Sequence, residues 1–412
     1  MNQNEDKRAY ELKNRLGFYI FIFRLAGVDT QPQSSWKLYN VYASVAFLCA
    51  YGSSVAIAAD MFLTDDLQHI MENMRALLGS ISAFWMQNYV RFRKDAILKL
   101  MGLTDSFTWD ESPAKDCHTG KTSKGSLIPV IKNSVWKLCL FVIAFHGSYF
   151  TLQVSLGRRI LSINSYYPFD WTVSPLYELV NITQFVAASV YVCTIFGFLG
   201  LYATFTCIAC TQLEKLRANI YNIRQKHDTT EQDSGAETDQ EEEGKVYTTQ
   251  QMFCHMQKQL NDCIRHHQEI LKFMWELEKT MNPMLVVQFV IILAGLCLSA
   301  FSLVTNMGDV LQMAQALLIY FGFMTEVCCI CWFGDELTEE AESIRDAAWG
   351  CDWVGTPVTF QRCILFIIVA ANKKFELTAG KIVGVSNNTM ANIFNQTLSY
   401  LTFLIQAKDN ID

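Results

Sequence analysis

Six polar side chains near the end of the chain are spaced for one task. Asn388, Asn392, Asn395, Ser399, Thr402 and Gln406 recur every three or four residues, which sets them on one face of a helix. Between them stand Met390, Ile393, Phe394, Leu398, Leu401, Phe403, Leu404 and Ile405. Lipid cannot satisfy a continuous polar stripe, so it must face water or polar partners. Two readings follow. The stripe lines a water-filled path, or it supplies polar contacts between helices. Neutral amides and hydroxyls suit a weakly selective ion pathway better than a tight binding site.

The other chemistry-bearing residues are sparse. Glu326 is the one charge within Val310–Gly334, and an acid inside a membrane is a functional flag. A secondary transporter would use it as an ion carrier; otherwise it is a paired or water-facing acid near the cytosolic end. No convincing internal repeat supports the transporter. His255, His266 and His267 fall on a polar segment and read as a solvated helix face. Cys207 and Cys210 form a CxxC, but inside an apolar helix, so the fourteen cysteines read as buried thiols. No phosphate-binding loop, nucleophile elbow, HExxH or paired-cysteine zinc spacing occurs. No enzyme activity, metal, cofactor or nucleic-acid partner is expected.

The elements that must hold the stripe are legible in the charge. Of 412 residues only 18% are charged, below the roughly 25% of soluble domains. The charges are also segregated. No Asp, Glu, Lys or Arg occurs in Leu38–Ala59, Leu138–Gly157, Leu179–Leu213, Thr280–Gly308 or Ile382–Ala407. Each run can cross a hydrocarbon core of about 30 Å as a helix. Ala76–Val90 and Val310–Gly334 add two further candidates. Lys and Arg accumulate in 1–37 (six), 91–137 (nine), 214–279 (nine) and 335–381 (five), and are few in 60–68 and 158–178. Positive residues stay inside. The expected fold is therefore an all-α membrane protein with seven transmembrane helices, a cytosolic N-terminus and an extracellular C-terminus.

This divides the chain into a cytosolic lead-in (1–37), transmembrane helices one to four (38–213), cytosolic helical extensions (214–279), helices five and six (280–334), cytosolic anchor helices (335–381), a seventh helix that carries the polar stripe (382–407) and an external tail (408–412). The lead-in is expected to hold a short amphipathic helix around Arg8–Ala26. Asp228–Gly244 holds eight acids and no Lys or Arg, a composition that cannot bury a core and should be disordered. Phe253, Met256, Leu260, Ile264 and Leu271 give the next segment a helical stripe. Leu337, Ala341, Ile344, Ala348 and Trp349 do the same further on, followed by a helix over Phe360–Ala371. Such cytosolic helices need something to pack on, which other subunits would supply. The inverted orientation and the missing DRY and NPxxY patterns exclude a rhodopsin-like receptor.

Three segments resemble the insect odorant receptors. Tyr167-Pro168-Phe169-Asp170 with Ser174-Pro175 is similar to the family's second external loop. Ala341, Ile344, Ala347 and Trp349, with Trp353, resemble the stretch before its last span. Ser399-Tyr400-Leu401-Thr402-Phe403-Leu404-Ile405-Gln406 resembles its C-terminal signature. The related gustatory receptors end in Thr-Tyr, five residues and Gln-Phe, from which this chain departs at Ser399 and Ala407. A gustatory-type channel is thus an alternative, as is the transporter using Glu326. The chain lacks the greater length of the family's shared co-receptor and so looks like an odour-tuning subunit.

The resemblance implies an odorant-gated, non-selective cation channel in the plasma membrane of olfactory neuron dendrites. It implies a heterotetramer with the odorant co-receptor, with each last span lining a central pore for permeating cations. The pore residues would be Asn392, Asn395, Ser399, Thr402, Phe403, Gln406 and Ala407, with the gate at Phe403 and Ala407. The pocket for a small volatile ligand would lie in the outer half, among spans two, three, four and six. Ile81, Phe84, Tyr149, Phe150, Phe185, Ala188, Leu317 and Tyr320 fall at suitable depths.

Overall fold

Long stretches without charge leave the helix as the form that satisfies every backbone group without water, and the described residues are mostly helical. The computed structural model describes residues 16–28, 37–104, 107, 123–157, 159–223, 249–306 and 310–409. The helices are α1 (Leu16–Leu25), α2 (Lys37–Leu63), α3 (Leu67–Phe92), α4 (Lys94–Thr104), α5 (Leu127–Ser155), α6 (Leu176–Tyr221), α7 (Thr249–Thr305), α8 (Val310–Gly350), α9 (Val358–Asn372) and α10 (Asn387–Asp409). A hairpin of β1 (Thr378–Ala379) and β2 (Val383–Gly384) precedes α10. The acidic run 228–244, the residues before Leu16 and the tail after Asp409 lie outside the described residues.

Among the described residues, five helices are long and apolar enough to cross a membrane: α2, α5, α6, α7 and α8. α3 and α10, at 26 and 23 residues, are long enough but more polar. On α3 the polar residues Asn73, Arg75, Ser80, Ser82 and Gln87 are buried in the protein. The molecule is a multi-pass, all-α membrane protein. α6, α7 and α8 hold 46, 57 and 41 residues, about 69, 86 and 62 Å at 1.5 Å per residue. Each outruns a core of about 30 Å. Their excess, with α9 and the hairpin, forms a stalk at one end of the bundle. The α5–α6 loop marks the other end.

α6 is the central helix. Every residue from 197 to 213 is buried, as expected where apolar residues run all round. Gly200 lets two neighbours approach, because a Cβ there would stand 2.6 Å from Val135 and 2.8 Å from Tyr19. Tyr19 is fully buried and hydrogen-bonds Thr204 at 2.6 Å, fixing α1 against α6. The thirteen described cysteines are all free, and Cys207 and Cys210 are buried within α6. Asn181, in an Asn-Ile-Thr sequence, is also buried in α6, at 3% exposure.

Three expectations change. The last helix starts at Asn387 rather than Ile382, because Thr378 and Ala379 pair with Gly384 and Val383. Ile382 and Val383 carry no charge, so a charge-free run did not separate strand from helix. The stripe on the α7 extension runs Met256, Leu260, Cys263, His267, Ile270 and Met274, all buried, whereas Ile264 and Leu271 sit half-buried to one side. His267 therefore leaves the solvated face assigned to it, because it falls on the buried period. Trp349 is 66% exposed on α8, while Leu337, Ile344 and Ala348 are fully buried.

Candidate functional site

The hairpin sets where α10 begins. The Glu278 carboxylate of α7 accepts bonds from the Thr378 backbone N–H (3.0 Å) and hydroxyl (2.5 Å). Asn282, beside Pro283 inside α7, donates to the Thr378 carbonyl (2.9 Å) and hydroxyl (2.7 Å). The turn has consecutive positive φ angles, +64° at Gly380 and +58° at Lys381, a geometry that glycine takes without strain. Asn387 then donates to Asp335 of α8 at 2.5 Å. The first turn of α10 is thus tied to both α7 and α8.

From there α10 packs on α7 and α8 by Ile393 (6% exposed) and Thr397 (3%). Its opposite face carries Asn388, Asn392, Asn395, Ser399, Thr402 and Gln406, and all six are exposed. Ser399 and Thr402 donate their hydroxyls to the carbonyls of Asn395 and Leu398 at 2.9 Å. That leaves oxygen lone pairs directed outward as acceptors. Phe403 is 64% exposed beside this face. Ala407 lies in the last turns of the helix, and its side chain is outside the described residues.

The aromatic residues fall in separate groups. Phe185 of α6 stacks on His146 of α5 with ring centres 6.3 Å apart, and Phe150 of α5 lies 6.3 Å from Tyr177 of α6. A Cβ at Gly147 would rest 3.5 Å from Phe185, so α5 approaches closely there. Tyr149 and Ala188 are half-buried on the same two helices. Phe84 is held elsewhere, edge-on to Tyr51 of α2 at 4.8 Å. Ile81, one turn earlier on α3, is exposed. Leu317 and Tyr320 are half-buried on α8, and Tyr320 packs edge-on to Phe321. The structure brings together Phe150 and Phe185 with their partners His146 and Tyr177. It does not bring Phe84 to that seam.

The loop between α5 and α6 is fastened over the seam. Gln184 of α6 donates to the Ile163 carbonyl (2.9 Å) and to Ser165 (2.8 Å), and the Tyr166 N–H bonds the Ala56 carbonyl of α2 (3.1 Å). Reading the sequence missed three polar residues here: His146, Gln153 and Asn181. Gln153 follows Phe150 by three residues in a charge-free run, and that spacing was the available signal.

Glu326 is neither water-facing nor paired with a cation among the described residues. It is 5% exposed and accepts a bond from Gln288 of α7 at 2.7 Å. Gln288 also bonds Ser82 of α3 at 2.9 Å, so one polar chain joins α3, α7 and α8. The described residues contain no cluster of His, Cys, Asp and Glu able to hold a metal.

The stalk is held by charge. Lys124 pairs with Glu336, and Arg217 with Glu340 at 2.7 Å. Glu214 accepts from the Ser123 hydroxyl at 2.6 Å and from the Lys124 backbone N–H. α9 buries Phe360, Ile364 and Ile367 and turns Val358, Leu365, Phe366 and Val369 outward.

A family model described as 7tm Odorant receptor matches residues 66–398. The chain is 21% identical to Odorant receptor 2a of Drosophila melanogaster over 414 residues, 98% of this chain and 100% of that one. It is 21% identical to Odorant receptor Or2 of Anopheles gambiae over 238 residues, 57% of this chain and 58% of that one. The solved structure of olfactory receptor OR5 from Machilis hrabei, in complex with eugenol, aligns with a TM-score of 0.72 at 14% identity. That alignment covers 97% of this chain and 99% of that one, so the whole described fold is shared. A family match over four-fifths of the length, on a multi-pass helical fold common to a solved olfactory receptor, gives the conclusion that the chain belongs to the insect odorant receptor family.

Proposed function

We propose that this chain is the odour-tuning subunit of a ligand-gated, non-selective cation channel. It crosses the plasma membrane seven times with the stalk in the cytosol, and works with the co-receptor in olfactory neuron dendrites. The observation that carries the reading is α10. Its six polar side chains are exposed together while the opposite face packs on α7 and α8. A membrane helix exposing such a face needs water or matching faces beside it. Several subunits arranged around an axis would supply both, with Phe403 and Ala407 as the narrow apolar gate. Pores that gate by dewetting use apolar constrictions of this kind.

A small volatile ligand would enter among α3, α5, α6 and α8. It shifts the channel toward opening only by its higher affinity for the open form. Eugenol, bound in the Machilis hrabei relative, is a sensible first ligand for a panel. The test is whole-cell recording from cells expressing this chain with the co-receptor. Fast ligand-evoked current is expected, and Phe403→Glu should change gating or ion permeation. Unchanged permeation in a surface-expressed Phe403→Glu heteromer would remove the pore assignment. Saturable substrate uptake without current would favour a transporter instead.

A further inference from the structure

Between α5 and α6, three polar side chains carry buried hydrogen-bonding atoms that find no partner among the described residues. They are Gln153 Oε1, Asn181 Oδ1 and His146 Nε2. Gln153 and Asn181 are 2% and 3% exposed. A buried acceptor left without a donor costs about 1–3 kcal/mol, so each such atom needs a partner.

The placement of the three is set by the aromatic pairs. His146 faces Phe185 and Phe150 faces Tyr177, so residue number rises along α5 as it falls along α6. Gln153 stands three residues past Phe150, on the same side of α5. Asn181 stands four residues from both Tyr177 and Phe185. The two amides therefore border the two aromatic contacts. The orientation of Asn181 is fixed by chemistry. Its Nδ2 donates to the Tyr177 carbonyl at 2.9 Å, and a carbonyl can only accept, so Oδ1 is the free end.

We infer that the ligand of this seam is a hydrogen-bond donor (an alcohol, a phenol or an amine), with the Asn181 oxygen as its acceptor. The inference rests on the proposed odorant pocket, two of whose four helices are α5 and α6. An ether, ester or ketone of the same shape offers acceptors only and leaves the Asn181 oxygen unpaired. A site built to bond a hydroxyl rejects the analogue that lacks it more strongly than an apolar pocket rejects a change of size. The imidazole of His146 both donates and accepts according to its tautomer. It adds a contact without choosing between the two ligand classes.

The test uses the full heteromeric channel and pairs of isomeric volatiles: benzyl alcohol with anisole, and 2-phenylethanol with benzyl methyl ether. The hydroxyl member of each pair should reach half-maximal current at a concentration at least about tenfold lower, the effect of one satisfied buried hydrogen bond. Asn181→Leu and Asn181→Val should each reduce that gap to a few-fold while the ethers still drive current. Asn181→Val places a smaller side chain there and serves if Asn181→Leu fails to reach the surface. Equal potency within the pairs, as expected if water alone fills these bonds, overturns the inference. So does a gap that persists in both surface-expressed variants. Absence of current from every ligand in the panel overturns the channel reading itself, and is distinct from current without discrimination.

Discussion

At the scale of single residues, burial decides what the polar groups can do. His267 lies on the buried stripe of α7, and burial, with His266 beside it, pushes its imidazole down to about 4. An unfolded histidine titrates near 6.5. Between those values the unfolded chain binds a proton that the folded chain does not. Stability from this residue is therefore complete above about pH 6.5 and falls as pH drops toward 4. At pH 5 the loss is about 2 kcal/mol. The thermal midpoint of the detergent-solubilised protein should fall between neutral pH and pH 5, and His267→Leu should flatten that dependence. The period that buries His267 was present in the sequence, as Met256, Leu260, Cys263, His267 and Ile270. The larger apolar side chains of Ile264 and Leu271 drew the stripe off phase. Glu326 gives a second prediction at this scale. Its acceptor role toward Gln288 survives in Glu326→Gln, so ligand-evoked current and surface expression should change little. A large loss of current in that variant would mean that the acid itself serves conduction.

At the scale of elements, the hairpin and α10 act as a unit. The spans could be read because charge is excluded from lipid, and runs of twenty uncharged residues have few alternatives. The polar stripe could be read because a helix returns to one face every three to four residues. The hairpin was hidden because Ile382, Val383 and Val385 have the composition of a span. What makes them a strand and a turn is distant: the Glu278 carboxylate and the Asn282 amide on α7. The pocket residues divided for a similar reason. Depth along a helix follows from sequence, but rotation about the axis is set by packing, and Tyr51 of α2 holds Phe84 away from α5. Thr378→Val removes the hydroxyl bonded by both Glu278 and Asn282, and bonds to a charged group contribute about 1.5–3 kcal/mol. The first turn of α10 should then loosen. A lower thermal midpoint and an altered ligand-free current are expected, and an unchanged midpoint would show that the clamp contributes nothing.

At the scale of the whole molecule, the stalk carries surface that a lone chain cannot cover. Lys124 with Glu336 and Arg217 with Glu340 tie its helices together. Yet Val358, Leu365, Phe366 and Val369 are 61%, 58%, 73% and 61% exposed. In the proposed topology α9 lies in the cytosol, where lipid cannot shield them. Contiguous exposed apolar side chains of this kind mark a protein interface. The occupant is then another subunit of the channel, and Phe366, the largest of the four, is its expected anchor. Phe366→Asp places a charge where the interface would exclude water, and losing a central aromatic contact typically costs 2 kcal/mol or more. Co-purification of the variant with the co-receptor should fall by at least tenfold. Its own thermal midpoint should stay the same, because most of the Phe366 side chain faces away from the rest of the chain. If association survives while ligand-evoked current also survives, α9 does not hold the subunits together, and the exposed polar face of α10 must carry assembly as well as conduction.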